Sequence, residues 1–304
     1  MSLSPTDNPT DNPTAYCDCT GGNPIEESGV DFRNLINTCI ENVNDDSCPG
    51  PIRCWNTSQV TNMDSAFREQ TFNDPLECWN VSKVISMRDM FRSATSSNQF
   101  IDSWDVSQVT SMRNMFRSAT SFNGSIGKWN TSAVKTMRAM FYHATSFNQS
   151  IDLWKVSQVN SMQSMFQAAT SFSQSIDRWN VSKVRSMENM FQNARAFNGP
   201  IGGWDTSKVK SMKNMFFSAR SFNKSIDRWD VSQVRSMQDM FQDATAFNKF
   251  IDSWNVSKVT SMKNMFQRAT SFNKSIDRWD VSQVKEMQNM FERATDFNQC
   301  LFTW

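Results

Sequence analysis

Tryptophan falls on one series in this chain: Trp55, Trp79, Trp104, Trp129, Trp154, Trp179, Trp204, Trp229, Trp254, Trp279 and Trp304. The first interval is 24 residues and every later one is 25. A fixed period of this length marks a repeat architecture, in which each unit buries its apolar side only against its neighbours. The period constrains the fold more than the 304-residue length, because such a protein grows by adding units and not by enlarging one core.

Other residue types keep the same phase. With tryptophan as position zero, a unit reads W-[DN]-[VT]-S-x-V-x-S-M-x-x-M-F-x-x-A-x-S-F-N-x-S-I-x-x. Apart from Met1, every methionine occupies position +8 or +11. The first unit departs with Ala66 at +11 and one residue missing, and the second has Ser97 where phenylalanine is expected. Ten units fill residues 55–304, preceded by a leader at 1–16 and a cysteine-rich cap at 17–54. The leader is rich in Pro, Asn, Asp and Thr, has nothing to bury, and reads as a disordered stalk or linker left after processing.

Within a unit, Met112, Met115, Phe116 and Ala119 lie at i, i+3, i+4 and i+7. This spacing predicts an amphipathic helix of about two turns over Ser111–Ala119, with Ser111 as its N-cap. Asp105 to Val109 predicts a second capped turn, and Phe122 to Trp129 a short extended segment. The fold class expected is therefore an α/β repeat, a solenoid of ten 25-residue units with a short helix and a short strand each, closed by an N-terminal disulfide-rich cap. The asparagine at +19, present in all units but the one with Ser173, predicts a ladder satisfying backbone groups of adjacent turns, and the serine at +3 is assigned similar work.

Charge and cysteines divide the chain. Residues 1–54 carry nine acidic and two basic side chains, and residues 55–304 carry 21 and 29. Cys17, Cys19, Cys39, Cys48, Cys54 and Cys78 cluster near the N-terminus, while Cys300 stands apart. Three disulfides in an oxidising compartment are favoured over a zinc site, since Cys17-x-Cys19 is too close for the usual pair and the one histidine, His143, is distant. The connectivity stays open. No apolar run long enough to span a membrane occurs, nor an apolar signal-peptide core.

The consensus W-D-V-S-x-V-x-x-M-x-x-M-F-x-x-A-x-x-F-N-x-x-I resembles the repeat of BspA-like leucine-rich-repeat (LRR) surface proteins, a class first catalogued as a mycoplasma domain of unknown function. The resemblance covers residues 55–304. It implies an LRR-like right-handed solenoid, extracellular or cell-surface placement, and roles in adhesion or recognition. It supplies no catalytic residues.

Several features invite a functional reading. The tryptophans could form an aromatic platform for sugars, but a residue kept at every turn beside other kept apolar positions reads as core. A threonine series at +16 (Thr95, Thr120, Thr145, Thr170, Thr245, Thr270, Thr295) resembles an ice-binding array, yet Arg195 and Arg220 interrupt it and its place after the expected helix suggests turn chemistry. The basic residues Arg88, Arg92, Arg113, Arg117, Arg138, Arg185, Lys208, Lys210, Lys213, Arg235, Lys258, Lys263 and Lys285 group on the expected helical side. Stacked, they form either a stripe attracting an acidic polysaccharide or a solvated face balanced by Asp152, Asp177, Asp227, Asp252 and Asp277. Sequons at both +1 and +19 follow from the repeat itself.

No catalytic constellation, metal site, cofactor motif or nucleic-acid module is recognisable, so the expected function is a non-enzymatic scaffold with a protein or polysaccharide partner. The alternative is a structural subunit that joins a larger complex, filament or homo-oligomer through the C-terminal end at Trp304, where the stack has no polar cap and Cys300 could bridge to a second molecule.

Overall fold

The computed structural model describes residues 22–42, 44–302 and 304. The expected leader and the sulfurs of Cys17 and Cys19 lie outside them. Among the described residues, helix is confined to the N-terminal segment, as α1 (Val30–Glu41) and a single 3-10 turn, Ile52–Cys54. Asp31 sits in the first turn of α1, where a carboxylate favours the helix dipole, and Phe32, Ile36 and Cys39 form its buried side. Phe32 meets Trp55 and Trp79 edge-on at 6.2 and 5.7 Å, so α1 covers the first layer of the aromatic interior. Residues before α1 add a partial layer, with Ile25 N–H donating to the Asn56 carbonyl and Gly29 N–H to that of Asn62. Cys39 and Cys48 form a disulfide, and Cys54 and Cys78 are each disulfide-bonded.

From Trp55 onward each unit lies on the next. Three aromatic columns run through the stack. Tryptophans from Trp129 to Trp304 stack at 6.1–6.5 Å between centroids. The phenylalanines at +12, from Phe67 to Phe291, stack at 5.4–5.7 Å. Those at +18, from Phe122 to Phe297, stack at 5.8–6.0 Å. The columns touch: Phe116 lies 3.9 Å from Phe122 and 6.3 Å from Trp129. From Trp104 to Trp279 each indole is buried and donates its N–H to a carbonyl 28 residues earlier, as Trp154 does to Ile126 at 2.9 Å. The tryptophans are thus interior and present no sugar platform.

The expected helices do not form. Over Met112–Ala119, Met115, Arg117 and Ala119 donate to carbonyls three residues back, while Met112, Asn114, Phe116 and Ser118 donate to Thr136, Arg138, Met140 and Tyr142 of the next unit. The result is a ribbon of consecutive turns in which alternate amides cross between layers. Positions +10 and +14 have φ between 52° and 66° in all ten units, as at Asn114 and Ser118. An α-helix needs about 10 Å of width, whereas layers paired through their backbones lie about 4.8 Å apart. The turn ribbon keeps the same apolar positions inside, but fits the layer height. Over Phe122–Trp129 no strand is formed among the described residues. Pairing occurs instead at +7, where isolated parallel bridges link Ser86, Ser111, Thr136 and Ser161, and then Ser186 onward to Glu286.

The asparagine ladder forms as expected. Asn123 Oδ1 accepts the Asn148 N–H at 2.9 Å, Asn148 Oδ1 that of Ser173 at 3.0 Å, and Ser173 Oγ that of Asn198 at 3.1 Å. The serine at +3 does different work. Ser107 N–H donates to Asp105 Oδ1 within its own unit, closing the capped turn expected there.

Candidate binding face

Position +6 is placed by a ladder of its own. Its N–H donates to the +6 carbonyl of the preceding unit in an unbroken run from Ile85 to Lys285. Valine at +5 is buried in units one to nine, so +4 and +6 flank it as adjacent outward columns. Across ten units these two columns hold nine basic residues and no acidic one. A cleft of ≈ 640 Å³ opens along them, lined by Lys135, Gln158, Asn160, Lys183, Arg185 and Lys208. All four cations are exposed. Lys183 Nζ donates to Gln158 Oε1 at 2.7 Å, which holds the ammonium over the cleft. Among the described residues no carboxylate lies within 4.0 Å of these cations.

Within the +6 ladder the bonds beside the cleft are the longest. Asn160 N–H to Lys135 and Arg185 N–H to Asn160 are both 3.2 Å, while the remaining +6 bonds are 2.8–3.0 Å. The row of parallel bridges also breaks between Ser161 and Ser186 among the described residues.

The single basic stripe expected from sequence divides into tracks. Arg88, Arg113, Arg138, Lys213 and Lys263 are at +9, and Arg92 and Arg117 at +13, on the turn ribbon. Arg185, Lys210, Arg235 and Lys285 are at +6, with Lys208 and Lys258 at +4. Those near the N-terminus are engaged: Arg88 pairs with Asp64 at 3.3 Å, Arg92 with Asp89 at 3.5 Å, and Arg117 lies over the Tyr142 ring at 4.4 Å. Lys135, Gln158, Asn160 and Lys183 escaped the sequence reading. Treating each outward position as a separate column would have found them, because +4 and +6 together hold nine basic residues and no acid.

The aspartates do not neutralise the cleft. Asp152 and Asp252, at +23, pair with the last residue of the next unit, Arg178 and Arg278, both at 3.3 Å. At +1, hydrogen bonds from Ser107, Ser207 and Ser282 hold the carboxyls of Asp105, Asp205 and Asp280 below the usual aspartate range. The +16 hydroxyls turn to backbone, as Thr145 Oγ1 does to the Thr120 carbonyl at 3.3 Å, so they make no free hydroxyl array. Cys300 is an exposed free thiol. Among the described residues no helix is long and apolar enough to cross a membrane, and no group of three or more His, Cys, Asp or Glu is placed to hold a metal.

The model of a family described as "Mycoplasma protein of unknown function, DUF285" matches residues 35–140, 122–227 and 186–304, and the chain belongs to this family. No curated protein matches the chain.

Proposed function

We propose that this protein is a non-enzymatic repeat scaffold at the cell surface or outside the cell, whose +4/+6 face binds an acidic polysaccharide. The observation that carries the reading is the cleft of Lys135, Lys183, Arg185 and Lys208, a cationic surface with carboxylates excluded from both of its columns. Gln158 and Asn160 between the cations offer amides suited to sugar hydroxyls. The scaffold is, in this reading, an LRR-like right-handed solenoid in which the turn ribbon takes the place of the helix. Disulfide-bonded Cys39, Cys48, Cys54 and Cys78 favour an oxidising compartment.

Chromatography on immobilised alginate and heparin across a salt gradient tests it. Wild-type protein should be retained at low salt and elute as screening rises, and Arg185→Gln with Lys210→Gln should elute earlier. Salt-independent behaviour, or variants indistinguishable from wild type, would refute the reading.

A further inference from the structure

We infer that a linear anionic polysaccharide lies along the stack axis on the +6 column, advancing about one sugar per layer, and does not cross the units transversely. The inference rests on the polyanion reading above and adds the direction and register of the bound chain.

The +6 ladder sets the spacing. Each +6 amide bonds to the +6 carbonyl one layer below, so the side chains rise in phase at the layer height, about 4.8 Å. Over five consecutive layers the column reads Lys135, Asn160, Arg185, Lys210 and Arg235. Four cations thus span about 19 Å along the axis, with one neutral amide among them. A pyranose ring and its linkage advance a chain by a comparable step, so carboxylates or sulfates on successive sugars meet successive cations.

A transverse path meets one carboxylate in each of the two units that supply Lys183, Arg185 and Lys208. In the unit that supplies Lys183 and Arg185, the next outward position on the ribbon is Glu188, held by a hydrogen bond from Gln163 Nε2 at 3.3 Å. On the other side of Lys208 stands Asp205, whose carboxyl is kept ionised by Ser207 and by Lys208. Along the axis no carboxylate interrupts +4 or +6 in any unit. Asn160, in the lining of the cleft, gives the chain an amide within the cationic run.

Size-defined oligogalacturonates (carboxylated) and heparin-derived oligosaccharides (sulfated), from dimer upward, would be titrated into the full chain by calorimetry. In the supported outcome, affinity climbs with length to roughly five or six sugars, the span from Lys135 to Arg235, and then levels. The series that shows this identifies whether carboxylate or sulfate is the recognised group. Arg185→Gln and Lys210→Gln should each weaken binding about fivefold at every length. Lys135→Gln with Arg235→Gln should instead move the plateau to shorter oligomers. Lys213→Gln with Lys263→Gln, which remove +9 charges, should change little. Binding without length dependence, or +9 variants as damaging as the +6 variants, overturns the axial register alone. No binding of either series, nor of the parent polymers, overturns the polyanion reading with it.

Discussion

The interior columns and the outer +4/+6 face are built on the same layers, yet their sequences behave differently. Position +12 is phenylalanine in all ten units, whereas +6 holds Thr, Ile, Lys, Asn and Arg. Inside, each ring must fill the height of one layer and meet its copies above and below, as Phe166 meets Phe141 and Phe191 at 5.5 and 5.7 Å. Outside, the +6 backbone is fixed by its own N–H and C=O, so the ladder forms with several different side chains at +6. The bias there, basic residues without a single acid, is what the proposed polyanion reading rests on. The interior reports how the chain stacks.

The sharpest way to break this contrast is to remove an interior ring. Trp179 is 2% exposed, stacks between Trp154 and Trp204 at 6.3 and 6.5 Å, and donates to the Ile151 carbonyl. Trp179→Ala should cost about 3–5 kcal/mol, through the lost contacts and the cavity left behind. Arg185→Gln, on the outer face, should stay within about 0.5 kcal/mol. Denaturant titrations of the two variants measure both. Similar losses for the two would remove the distinction between folding columns and free columns. Because the stack is quasi-one-dimensional, Trp179→Ala should also broaden the transition as the two halves uncouple.

The ladder at +19 lies between these extremes, polar in chemistry but structural in use. Asn148 Oδ1 accepts the Ser173 N–H at 3.0 Å and a side-chain bond from Gln174 at 3.1 Å. Asn148→Ala leaves a partly buried amide without its acceptor and should cost about 1–3 kcal/mol. Asn148→Ser should cost less, since Ser173 already serves the same role toward Asn198 with its hydroxyl. Equal losses for the two variants would show that the acceptor contributes nothing.

Much of this was readable before any coordinates. The tryptophan phase, the apolar positions, the asparagine ladder and the capped turn at Asp105 all follow from residue type and spacing, because each unit repeats the same burial problem. The helix did not follow. Apolar residues at Met112, Met115, Phe116 and Ala119 suit an amphipathic helix, but they equally suit a ribbon of tight turns that points the same side chains inward. Periodicity within one unit cannot separate the two, since layer height is a property of the stack. A signal was present at +10, which is Asn, Asp or Ser in every unit except the one with Ala139. These residues tolerate left-handed backbone, and asparagine recurring mid-helix should have argued against the helix. The cleft was half legible for a related reason: the basic residues were visible, but the columns they occupy exist only once the register between units is known.

Acidification gives the smallest effect, with opposite signs for fold and face. The carboxyls of Asp105 and Asp205 titrate below the ordinary aspartate value because Ser107 and Ser207 donate to them. A lowered folded-state value means that the folded protein binds the proton less readily than the unfolded chain. The stabilisation is therefore full above about pH 4 and declines as pH falls through the lowered values. Asp205→Asn should lose its share of that acid dependence while keeping the turn, since Asn180 accepts the Ser182 N–H at 3.1 Å in the equivalent place. Affinity for a sulfated oligosaccharide should move the other way over the same range. The sulfates stay charged, whereas neutralising Asp205 removes a repelling carboxylate beside Lys208. Thermal melts and calorimetric titrations between pH 3 and pH 6 read the two slopes. Parallel slopes would mean that the acidic edge and the basic face are one electrostatic unit and not two.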